Sequence, residues 1–83
     1  MALQETPRSL REERGLTIAR THRLADLDRK TLEKFESGCQ GVSTETIEKV
    51  AGALTQARPD MSPVTPERLY TAFQNAKREG ARK

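Results

Sequence analysis

Apolar residues recur along this chain in short blocks at helical spacing, and residues that start or stop helices stand between the blocks. The clearest block is Ile47, Val50, Ala51 and Leu54, spaced i, i+3, i+4, i+7, which predicts an amphipathic helix. Ser43 precedes it as a cap, and Glu45 suits the positive end of the helix dipole. A second stripe, Leu69, Ala72, Phe73 and Ala76, follows Thr65-Pro66, a cap with a proline whose missing N–H costs nothing in the first turn. The same opening, Thr6-Pro7, predicts a helix from about Pro7 to Arg14, ended by Gly15. Thr17 caps a helix to about Ala25. Asp28 caps one that ends near Ser37, with Gly38 as a left-handed stop. Residues 55–64 hold two prolines and read as a loop, and the final KREGARK, lacking apolar anchors, is expected to fray. No sustained alternation marks a strand. The expected fold is all-α: one five-helix domain over 1–83, with its core at about 6–76 and a basic tail at 77–83.

The spacing between the second and third helices narrows the architecture. Asp26, Leu27 and the cap Asp28 are all that separate them. So short a connection makes two helices cross steeply, the helix-turn-helix arrangement, in which the second helix stands clear of the body and fits a major groove. In DRKTLEKFESG, Leu32 and Phe35 point inward while Arg29, Lys30, Glu33, Lys34 and Ser37 share the opposite side. Arg29 and Lys30 would meet guanine edges or phosphates, Thr31 offers a hydroxyl or methyl, and Glu33 accepts from cytosine or pairs with Arg29 or Lys30. Charge pattern alone fits a solvated helix face equally well.

Composition limits what else is available. Only 34% of residues are apolar, so the core leaves little material for a deep pocket. A net charge of +3 permits a polyanionic partner without demanding one. One cysteine, Cys39, makes neither an internal bridge nor a thiolate metal site, which points to a reducing, cytoplasmic setting. No apolar run approaches the roughly 18 residues of a membrane span, and residues 1–20 hold no signal-peptide block. His22 is the lone histidine, with no partner at ligand spacing. A packing residue is the plainer reading, a mild pH sensor the sharper one. Cys39 reads as a bystander thiol more readily than as a redox switch. Glu12 and Glu13 diverge on one helix and share no proton. Neither catalysis, a metal nor a cofactor is expected.

The segments RSLREERGLT, FESG and VSTETIEKVAGAL together resemble the Cro/repressor-type (XRE-like) helix-turn-helix proteins over about residues 8–54. Gly15-Leu16-Thr17 looks like the family's entry to its second helix. Leu32 and Phe35 fall on the core positions of its recognition helix. Glu36 and Gly38 match its "E-x-G", and Ser43, Thr46, Ile47, Val50, Ala51 and Leu54 match its fourth helix. The resemblance implies a lambda-repressor-like, double-stranded-DNA-binding transcriptional regulator of dimeric habit, associated with the nucleoid through DNA. It implies DNA contacts from Arg29, Lys30, Thr31, Glu33 and Lys34, with Thr17, Arg20 and Gln40 near the backbone. It also implies an ion pair of Arg11 with Glu36. Independently, Glu36 lies one turn from Leu32 toward the packed side, where an unpaired carboxylate is costly.

In the fifth helix, Leu69, Tyr70 and Phe73 divide between core and a homodimer contact, since two half-sites raise operator affinity. The second helix departs from the family. His22 stands where a small residue is usual, so the helices must cross more widely or Leu24 and Ala25 must fill the gap. Asp26 stands at a left-handed position usually held by Gly, and tolerates it better than most residues. Two other functions suit the same pattern: an antitoxin that binds a toxin and autoregulates, and a protein-interaction module with a degenerate helix-turn-helix.

Overall fold

The computed structural model describes residues 5–38 and 43–81, which form five α-helices and no strand. These are α1 (Pro7–Glu13), α2 (Ile18–Leu24), α3 (Arg29–Glu36), α4 (Thr44–Ala57) and α5 (Pro66–Ala81). No helix among the described residues is long and apolar enough to cross a membrane.

Capping residues set where most helices begin. The Thr6 hydroxyl accepts from the Ser9 N–H at 3.1 Å while Ser9 Oγ accepts from the Thr6 N–H at 2.8 Å, a reciprocal box. Thr17, Ser43 and Thr65 accept from the backbone N–H groups of Arg20, Thr46 and Arg68. α3 differs. Asp28 has the extended backbone of a cap, but its carboxylate makes no capping bond, contrary to the sequence expectation. The residue is exposed, so water competes for that carboxylate.

Two helix ends close alike. The N–H of Leu16 bonds Arg11 O and that of Gly15 bonds Glu12 O; the N–H of Leu27 bonds His22 O and that of Asp26 bonds Arg23 O. Both are Schellman closures needing a left-handed residue. Gly15 supplies it at φ 70°, and Asp26 supplies it at φ 56°, the one described non-glycine with positive φ. His22 supports that turn. Its Nδ1 donates to Leu27 O at 3.0 Å, which requires the proton on Nδ1 because a carbonyl only accepts. The ring therefore lies along the turn. Ala25 is buried and fills the crossing, whereas Leu24 stays 41% exposed and does not. Thr21 is fully buried, its hydroxyl satisfied by Thr17 O at 2.7 Å.

All five helices border one core. Leu10, Leu32, Phe35, Leu54 and Leu69 are at 0% exposure, each burial worth about 1.5–3 kcal/mol. Phe35 and Phe73 stack at 5.3 Å between centroids, tying α3 to α5.

Three expectations need correction. Residues 55–57 belong to α4, not to the loop: the Thr55 hydroxyl bonds back to Ala51 O at 2.9 Å, and the helix stops at Arg58, which leaves the helical region at φ −137° and ψ 76° just before Pro59. α5 continues to Ala81 rather than fraying from Lys77, because its backbone there abuts Gly38, where a Cβ would lie 2.7 Å from Lys77 Cα. Leu69 and Phe73 are buried, at 0% and 5%, and so cannot be surface contacts; of that trio only Tyr70, 48% exposed, faces solvent.

Candidate nucleic-acid interface

α3 is held so that one side is committed to the core. Leu32 and Phe35 anchor it, and Glu36 fastens its last turn to α1. Arg11 Nε meets Glu36 Oε2 at 2.6 Å and Nη2 meets Oε1 at 3.1 Å, while Nη1 donates to Leu16 O at 2.8 Å. The two side chains are only 10% and 9% exposed, so the bidentate geometry matters: it returns the hydrogen bonds that burial takes away.

The outward side of α3 then follows from helical spacing. Lys30 and Lys34, four apart, share its outer ridge; both are exposed and neither has a carboxylate within ion-pair distance among the described residues. Arg29 instead reaches Glu33 at 3.7 Å, an exposed i,i+4 pair, so these two partly neutralise one another. Thr31 is half-buried. On α2, Arg20 is exposed and unpaired among the described residues, and Thr17 is occupied in capping. Gln40, with Cys39 and Gly41, lies outside the described residues.

Apart from the buried Arg14, the described cations divide into two groups. Arg8, Arg11, Arg29, Lys49, Arg58 and Arg68 each meet a carboxylate. Arg20, Arg23, Lys30, Lys34, Lys77 and Arg78 do not; all six are exposed, four of them on α2 and α3 and two on α5. Arg23 did not stand out in the sequence reading, although its place three residues after Arg20 puts both on one side of a helix. Arg14 was also missed. It is 3% exposed and spans 48 residues to donate from Nη2 to Ser62 O at 2.6 Å, leaving Nε and Nη1 without hydrogen-bond partners.

Perturbed protonation occurs elsewhere. The Arg68 guanidinium, hydrogen-bonded to Glu5 at 2.6 Å, holds the Glu5 carboxyl below its usual range and is itself raised. The Arg58 hydrogen bond likewise lowers Asp60. Neither pair is on α2 or α3. Among the described residues no group of three or more His, Cys, Asp or Glu side chains is placed to hold a metal ion.

What α2 and α3 present together is an exposed surface bearing four cations without carboxylate partners among the described residues, on a helix fastened through Leu32, Phe35 and Glu36. No protein-family model, curated protein or solved structure matches this chain.

Proposed function

We propose that the chain is a sequence-specific double-stranded-DNA-binding regulator, a repressor, in which α2 and α3 form a helix-turn-helix and α3 enters the major groove. One observation carries this: of the six exposed cations without carboxylate partners among the described residues, four, Arg20, Arg23, Lys30 and Lys34, lie on these two adjoining helices, the other two being Lys77 and Arg78 on α5. A merely solvated surface gains solubility from charges of both signs interspersed, as on α1, α4 and the 58–60 turn. Leaving these four cations without acidic partners favours an anionic ligand, and a lysine ridge on a single helix fits a groove wide enough to admit it. Lys30 and Lys34 contact phosphate or base edges; Arg20 and Arg23 contact the flanking backbone.

The test is a selection of bound fragments from random duplex DNA, followed by anisotropy titration on the recovered sequence. Affinity should fall steeply as salt rises, with a log–log slope of about −0.9 per neutralised phosphate. Lys30→Ala and Lys34→Ala should each weaken binding with little change in melting temperature. A flat salt response, or no enriched sequence, would remove the proposal. A homodimer straddling two half-sites accompanies it. Its contact centres on Tyr70, beside an open groove lined by Thr44, Ile47, Pro66, Glu67 and Thr71. Sedimentation of the protein with its selected duplex as a single copy per site would exclude that dimer.

A further inference from the structure

We propose that the C-terminal end of α5, Lys77 with Arg78, is a second phosphate-contacting element that prolongs the cationic ridge of α3. This rests on the DNA-binding reading above and deepens it.

The placement comes from Gly38. Its φ of +79° turns the chain at the end of α3, and its Cα lies so near α5 that a Cβ would fall 2.7 Å from Lys77 Cα and N and 3.0 Å from Ala76 C. Backbone therefore meets backbone, with no side chain between α3's end and Lys77. Along α3 the ridge advances about 6 Å from Lys30 to Lys34, from the helical rise per residue, and Gly38 turns the chain two residues after α3 ends. Lys77 thus sits against the turn that follows α3. On α5 it follows Phe73 by four residues, and Phe73 stacks on the inward-facing Phe35, so this flank of α5 borders α3 on its core side while Lys77 itself is exposed.

Lys77 and Arg78 are exposed and meet no carboxylate among the described residues. In this they match Lys30 and Lys34 rather than the paired cations. The competing explanation is local: cations near a helix C-terminus complement the dipole. The two explanations differ in salt dependence, because only contact with phosphate releases counterions from DNA.

The experiment uses the full chain, wild type and the Lys77→Gln/Arg78→Gln double variant. It uses a duplex recovered by selection and a random-sequence duplex of equal length, titrated across a fourfold range of salt. The expected result is a slope shallower by about one to two on both duplexes, with unchanged sequence preference and melting temperature. Lys49→Gln, which removes a cation paired with Glu45 on α4, should leave the slope unchanged. A wild-type slope retained in the double variant overturns the proposal and leaves α5's cations to the dipole. An equal loss in Lys49→Gln also overturns it, since net charge alone would then suffice. Wild type binding neither duplex removes the DNA reading itself, and this placement with it.

Discussion

Arg11 and Arg14 leave α1 three residues apart, and both guanidiniums are buried, at 8% and 3% exposure. Their surroundings differ. On the α3 side, Arg11 meets a carboxylate with two nitrogens and a carbonyl with the third. On the side of the 58–64 loop, Arg14 meets one carbonyl, and two of its nitrogens have none. Burial of a charge is costly in both places, but only the first returns the lost hydration as short, charge-assisted bonds. The loop has a better anchor than Arg14. The Thr55 hydroxyl accepts from the buried Val64 N–H at 3.1 Å while donating to Ala51 O. Equal burial of equal groups thus carries unequal weight: the α1–α3 junction depends on its arginine, the loop on its threonine.

Four substitutions or titrations would break that contrast or sharpen it. Glu36→Ala leaves the Arg11 charge desolvated and should cost about 3–5 kcal/mol in urea unfolding, with Arg11→Met comparable. That is a large part of the roughly 5–15 kcal/mol available to a small domain. The joint replacement Arg11→Met/Glu36→Leu should recover most of the loss, because apolar packing replaces a buried pair well. Next, Thr55→Val orphans the Val64 N–H and should cost about 1–3 kcal/mol. Arg14→Met should lie within about 1 kcal/mol of wild type, on the stabilising side, since the Ser62 carbonyl it abandons belongs to an exposed residue that water can serve. An Arg14→Met loss as large as that of Arg11→Met would end the comparison. The smallest effect is titration of Glu5. Its folded pKa is depressed by Arg68, so its stabilisation is present above the ordinary carboxylate range and is lost as pH falls through the lowered value. The pair is exposed, which limits it to a few tenths of a kcal/mol, about what surface pairs give. Arg68→Gln should flatten that part of the acid-unfolding curve.

Legibility in the sequence followed distance along the chain. The α4 stripe, the caps at Thr6, Thr17, Ser43 and Thr65, and the turns at Gly15 and Gly38 were readable because each is decided within four or five residues, whereas the left-handed Asp26 came only from the family resemblance. The end of α4 was misjudged because turn composition in 55–64 outweighed Thr55, whose hydroxyl bonds within the helix and across to Val64. Leu69 and Phe73 were assigned partly to a dimer because an apolar stripe does not say what covers it. In the candidate interface, the outward side of α3 was legible from Leu32 and Phe35. The solitude of Lys30 and Lys34 was not, since it depends on where carboxylates from other helices end up. Arg14's burial and the approach of Lys77 to Gly38 are contacts of long sequence separation with no local mark.

The missing side-chain cap on α3 has a dynamic consequence. The helix has eight residues, too few to stand alone, and its firmest tertiary fastening runs from its fourth residue onward, through Leu32, Phe35 and Glu36. Opening at Arg29 and Lys30 costs little because both residues are exposed. Amide deuterium should therefore enter at Arg29, Lys30 and Thr31 well before it enters at Glu36 or Ser37. The element is a lever clamped at one end, and its free end, which carries Lys30, can settle into whatever surface it meets.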